Sequence, residues 1–177
     1  MKLLKILFIS LALLVIVVIA GMWSVGMFQK IEFKAQDVGA MTMVYTEHIG
    51  PYNKIGPKFE IVKKYLDDNK IAYTYGIGEY LDNPAKVRQE ELRSYAGYLV
   101  DKPIKTAEPI RVKKIQKNYY VVCTFVGMPM VGPFVVYPKA TKWFEKNGYE
   151  MTGAAYEIYK IDGKIMSTDY LFAVKKK

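Results

Sequence analysis

The segment Val44-Tyr45-Thr46-Glu47-His48-Ile49-Gly50 returns 77 residues later as Val121-Val122-Cys123-Thr124-Phe125-Val126-Gly127. Both are β-branched and aromatic runs that close on a glycine, the pattern of a strand running into a turn. Downstream, Ile55-Gly56-Pro57 lies over Val131-Gly132-Pro133 at a shift of 76. Tyr65-Leu66 with Asn69 lies over Trp143-Phe144 with Asn147 at 78. Three matches at nearly one shift define a duplicated module.

Each copy reads as strand, helix, strand, strand. In the first, Met41 to His48 forms a strand, Gly50-Pro51 breaks it, and Pro57 opens a helix in which Phe59, Ile61, Val62, Tyr65 and Leu66 recur at helical spacing until Asn69. A strand from Tyr73 to Leu81, a turn at Asp82-Asn83-Pro84 and a strand from Arg93 to Val100 complete it. In the second, Val136, Ala140, Trp143 and Phe144 share one helix face, and strands Ala154 to Ile161 and Ile165 to Val174 meet at the hairpin signal Asp162-Gly163. Two such copies pairing along one sheet make an α+β domain over 41–175, a pseudo-two-fold antiparallel sheet with two helices. Residues 42–100 and 121–174 are expected to superpose, and the concave surface between them is the natural ligand site.

Ahead of this domain, Ile6 to Phe28 is an uncharged run of 23 residues flanked by Lys2 and Lys5 and by Lys30 and Lys34. That length spans a bilayer, which needs ~20 apolar residues. A cleaved signal is the rival, with Val18-Ile19-Ala20 as its cleavage site, but the apolar run continues through Met22, Trp23, Val25 and Phe28. The expected layout is a tail over 1–5, a transmembrane anchor over 6–28 with Trp23 and Phe28 in an interfacial belt, and a linker over 29–40. Two lysines flank each side, so the positive-inside rule discriminates little; a short basic tail of this kind commonly stays in the cytoplasm, placing the domain outside.

The chain of 177 residues is 51% hydrophobic and 24% charged, enough to fold as one domain and too apolar for wholesale disorder. A single cysteine and a single histidine, Cys123 and His48, leave no structural zinc site and no disulfide within the chain, so neither metal nor cofactor is expected. The net charge of +9 is scattered apart from Lys113, Lys114, Lys117 and the Lys175 to Lys177 tail. Nucleic-acid binding would prefer a continuous basic stripe, so the charge reads as solubility and attraction to anionic lipid. Fifteen tyrosines against two tryptophans point to a surface or cavity lined with phenol rings.

Three segments carry a resemblance: EHIGPY (Glu47 to Tyr52), EYLDNPAKV (Glu79 to Val87) followed by LRSYAGYLV (Leu92 to Val100), and YPKATKWFEKNGYEMTGAAYEIY (Tyr137 to Tyr159). In order and spacing they resemble the GyrI-like small-molecule-binding domain, also found as the effector-binding part of AraC-type and MerR-type regulators. The resemblance covers roughly residues 35–175. An anchor followed directly by this domain is similar to the subfamily that includes the testis-expressed receptor for autophagy of the endoplasmic reticulum. That receptor's long tail has no counterpart before Lys177, and no helix-turn-helix precedes the domain, so neither the autophagy role nor the DNA-binding role is carried over.

The resemblance places the family's acidic ligand-binding residue in a Glu-x-Tyr segment, here Glu157 with Tyr159. Strand alternation puts Ala155, Glu157 and Tyr159 on one face. A carboxylate withdrawn from water among aromatic rings holds a cation by Coulomb attraction and cation–π contact. Tyr45, Tyr52, Tyr80 and Tyr98 could project toward the same cavity, although tyrosines at such positions also tether turns through their hydroxyls. His48 reads as a ligand residue or as a turn residue bonded to backbone, and Phe125, at its repeat position, as a wall residue. Trp143 reads as core.

The leading expectation is a membrane-tethered module that binds a small hydrophobic or cationic molecule. A second is a small-molecule hydrolase in which Glu157 acts as base, since some relatives of the family hydrolyse electrophilic compounds with a carboxylate and a tyrosine. A third is an interaction domain without a ligand, which a filled site would favour.

Overall fold

Gly56-Pro57 and Gly132-Pro133 open the two helices of the body, because a proline in the first helical turn forfeits no hydrogen bond. The computed structural model describes residues 2–177. It consists of α1 (Lys2–Ser24), β1 (Lys34–Val38), β2 (Met41–Ile49), α2 (Gly56–Asp68), β3 (Gly76–Tyr80), β4 (Arg93–Val100), β5 (Arg111–Ile115), β6 (Asn118–Val126), α3 (Gly132–Asn147), β7 (Tyr149–Asp162) and β8 (Ile165–Lys176). The strands form one antiparallel sheet in the order β1-β6-β8-β7-β3-β4-β2-β5. The two halves have the same element order, as the duplication requires.

The repeat is longer than the sequence reading had it. β1 maps onto β5 at the same shift of 77, and each pairs with the second strand of the opposite copy: Lys34 faces Val122 and Arg111 faces Tyr45, in one register. The unit is therefore strand, strand, helix, strand, strand, and the copies exchange their first strands. Residues 29–40, expected as a linker, contain β1 and are built into the sheet. Other boundaries move as well, and β7 begins at Tyr149 rather than Ala154. The helix expected over 6–28 ends at Ser24 and residues 25–28 turn onto the body, while Tyr73 to Tyr75 lie outside β3.

β5 and β6 stand near opposite ends of the strand order, yet only Gln116 and Lys117 separate them. Such a connection reaches at most roughly 11 Å, so the sheet curls until its ends meet. Gly39-Ala40 joins β1 to β2 under the same constraint. The helix-free face is thereby closed over a core that includes Met43, Ile77, Tyr120 and Leu171. On the other face α2 covers Val44 and Val100, and α3 covers Val121, Phe125 and Phe172.

Candidate ligand-binding site

β3 and β7 are neighbours at the middle of the sheet, and the repeat axis passes between them. Tyr80 pairs with Ser94 and Ser94 with His48; in the other copy Tyr159 pairs with Thr168 and Thr168 with Phe125. Tyr80 and Tyr159 are thus repeat counterparts, and their hydroxyls meet at 2.7 Å across the axis. Glu157 faces Gly78, its own counterpart, on the face that carries the helices. A Cβ at Gly78 would lie 2.9 Å from the Tyr80 ring and 3.2 Å from the Tyr159 hydroxyl. The glycine leaves the space in which the two phenols meet.

Glu157 is 2% exposed. Tyr137, from α3, donates to Glu157 Oε1 at 3.0 Å, and Tyr159 donates to Oε2 at 3.1 Å. Because the Tyr159 proton is spent on the carboxylate, the short contact is Tyr80 donating to Tyr159. Among the described residues no cationic side chain pairs with Glu157; the buried acid Glu79 on the opposite face, by contrast, is held by Lys113 Nζ at 2.6 Å. Burial pushes the Glu157 carboxyl up to about 7, against the pull of the two phenol hydrogen bonds, which favour the charged form. Burial, then the Glu157 charge, raises the phenols of Tyr80, Tyr137 and Tyr159, so they stay protonated donors at neutral pH.

Aromatic rings continue outward from this centre. Phe59 of α2 meets Tyr159 edge-on at 5.6 Å and Tyr98 at 6.1 Å, and Tyr52 meets Tyr80 at 4.9 Å. Tyr170, the cross-strand partner of Glu157, packs edge-on against Tyr137 at 5.9 Å, and its buried hydroxyl has no partner among the described residues. The arrangement is a buried carboxyl under a half-buried aromatic lining between two helices, in which an ionised carboxylate and ring faces could meet a positive charge.

The structure brings Glu157, Tyr159 and Tyr80 together and sets Tyr52 and Tyr98 at the rim. Tyr52 also tethers the Asp82 turn, its hydroxyl donating to the Asp82 carbonyl at 2.9 Å and accepting from Asp82 N at 3.0 Å. Three expected residues lie elsewhere. Tyr45 is on the opposite face, against Tyr95 at 4.7 Å, because odd and even residues of β2 point to opposite sides. His48 sits three strands from β7 with Nε2 3.1 Å from the Pro51 carbonyl oxygen, a turn residue. Phe125 is fully buried in the core under α3. Trp143 is partly buried at the edge of that core, stacked on Tyr149 at 5.5 Å. Sequence reasoning missed Tyr137, Phe59 and Gly78. Repeat arithmetic could have found the last, since it places a glycine opposite the acid.

A duplicated α+β unit with a buried acid and an aromatic lining at its axis defines a module for holding a small ligand. The chain belongs to the GyrI-like small-molecule-binding domain family, whose model matches residues 31–175. The C-terminal domain of EcmrR is similar in fold, with a TM-score of 0.71 at 17% identity over 83% of this chain and 99% of that domain. Against EcmrR in its DNA complex, the chain spans 58% of that protein's length, at 16% identity and a TM-score of 0.70 over 83% of this chain. A structure of SAV2435 bound to tetraphenylphosphonium matches with a TM-score of 0.55 at 12% identity, over 81% of this chain and 94% of that one. No curated protein matches the chain in sequence.

Proposed function

We propose that this chain is a membrane-tethered receptor for an amphipathic organic cation, which Glu157 holds inside a cage of Tyr80, Tyr137 and Tyr159. The observation that carries the reading is an acid 2% exposed whose hydrogen bonds come from phenols alone, without a cationic partner. A buried carboxylate is costly unless a positive charge accompanies it, and a ligand would supply that charge. The site is filled by its own phenols, as a ligand-free interaction domain would have it, but that reading leaves the unpaired acid without a role. The phenols cover the carboxylate, so a ligand reaches it when Tyr159 and Tyr137 turn aside. SAV2435, of like fold, is bound to an organic cation, which supports the ligand class.

The tether is α1, whose apolar stretch Leu4–Ser24 is a candidate membrane span. Likeness to the anchored autophagy-receptor subfamily supports an anchor followed directly by the domain, and the short basic tail with Lys2 and Lys5, of a kind that commonly stays in the cytoplasm, supports a domain on the extracytoplasmic side. Carbonate-resistant membrane association of the full chain tests the tether; release of a mature chain beginning near Gly21 would make the segment a cleaved signal. Calorimetric titration of tetraphenylphosphonium into wild type and Glu157→Gln tests the site.

One observation favours a second reading. A buried carboxyl near pH 7 beside a phenol is also the form of a general base. Turnover of electrophilic esters or epoxides that is lost in Glu157→Gln would establish hydrolysis.

A further inference from the structure

Four of the five most exposed large hydrophobic residues of the body are Met130 at 78%, Phe134 at 77%, Ile161 at 75% and Ile165 at 61%. They lie at one end of the sheet. Ile161 and Ile165 flank the β7–β8 turn, Ser167 of β8 pairs with Val126 at the end of β6, and the chain then runs through Met130 to the start of α3 and Phe134. The fifth, Ile49 at 69%, is the repeat counterpart of Val126, and because β2 and β6 run antiparallel it lies at the opposite end.

The same end receives α1. Val126 N donates to Gln29 Oε1 at 2.9 Å, Lys139 Nζ donates to the Gln29 carbonyl at 2.6 Å, and Met27, Ile31 and Phe33 pack against the core under α3. A Cβ at Gly127 would lie 2.6 Å from the Val25 carbonyl oxygen, and one at Gly26 would lie 2.8 Å from that of Val126, so the two backbones touch. Only Val25 to Phe28 separate the end of α1 from this docked Gln29, and they are already turned onto the body. Residues 25–33 are therefore docked on the body, and α1 leaves it at this apolar end.

We infer that this end, formed by Met130, Phe134, Ile161 and Ile165 beside Phe28, is seated in the interface of the bilayer that α1 crosses. The inference rests on the reading of α1 as a membrane anchor. The occupant is lipid because the patch lies at the end of the body where α1 departs. Lys164 at the hairpin tip and Lys30 after the helix are placed to meet headgroups, and Trp23, 73% exposed, stands at the boundary where indole rings partition.

Spin labels attached through Phe134→Cys, Ile161→Cys, Ile49→Cys and Val15→Cys, each in the full chain reconstituted in phosphatidylcholine vesicles, test this. Cys123 is buried and does not compete for the label. Labels at 134 and 161 are expected within about 5–10 Å of the headgroup boundary, more accessible to oxygen than to a water-soluble nickel chelate, with the reverse at 49. Unchanged thermal unfolding of the labelled chains shows that the fold survives. If 134 and 161 read as water, like 49, while 15 reads as lipid, the seat is wrong and the tether stands. If 15 also reads as water, the anchor reading fails and the seat with it.

Discussion

The hydroxyls of Tyr80 and Tyr159 meet at 2.7 Å across the axis that relates the two copies of the repeat, and Tyr159 in turn donates a hydrogen bond to Glu157. Duplication makes the meeting possible, because one position is supplied twice and brought face to face. The copies differ two residues upstream, where one carries Glu157 and the other Gly78.

Tyr159→Phe keeps the ring and removes one donor from Glu157. The charged carboxylate loses a stabilising bond, so its titration should move above about 7, and cation affinity should fall less than in Glu157→Gln. Titration of the carboxyl by isotope-edited NMR, with calorimetry for affinity, checks both. A downward shift would contradict the hydrogen-bond assignment.

The Glu157 shift makes stability depend on pH with a definite sign. Its native titration is raised, so the neutral form is favoured in the fold. Stability from this group is full below about 4.5, declines as the pH rises, and is lost above about 7, a loss of about 3 kcal/mol. Glu157→Gln should flatten that window in urea-unfolding curves. A wild-type curve already flat between pH 5 and 7 would contradict the buried, unpaired acid.

Gly78 and Gly97 separate a soft contact from a hard one. At Gly78 an added Cβ meets tyrosine side chains that can move, so Gly78→Ala should fold, lose about 1–3 kcal/mol and bind more weakly. At Gly97 it would lie 2.0 Å from the Val44 carbonyl oxygen, and Gly97→Ala should fail to fold. Thermal unfolding of the two variants orders them.

The exchange of first strands makes residues 31–40 part of the fold. A fragment over 31–177 should unfold cooperatively. One over 41–177 loses the β1 ladder to β6 and the packing of Ile31 and Phe33, and should melt lower or aggregate through the bared edge of β6. Equal stability would return this segment to the role of a linker.

What the sequence concealed follows from the kind of signal each residue carries. The repeat was legible because β2 and β6 are long and share side-chain types; strand alternation put Glu157 and Tyr159 on one face, and the resemblance to the family singled out that acid. β1 and β5 escaped because Lys34–Val38 and Arg111–Ile115 are short, polar in part, and pair with partners from the other copy. Tyr137 escaped because, three and seven residues before Ala140 and Phe144, it reads as one more core residue of α3, and the role of its hydroxyl arises only when α3 lies over β7. Tyr45 and His48 are three apart on one strand and so face opposite sides; only one of them could ever have met the axis.

Recognition of the ligand's charge by an ionised Glu157 is read from tetraphenylphosphonium binding, measured by calorimetry as a function of pH. A permanent cation has no proton of its own to lose, so any titration belongs to the protein. Wild-type affinity should rise by roughly tenfold per pH unit below about 7 and level off above it. At pH 8 Glu157→Gln should bind about ten- to a hundredfold more weakly, with no pH dependence in that range. Equal, pH-independent affinity in the two proteins would contradict the account and leave only a greasy cleft at the repeat axis.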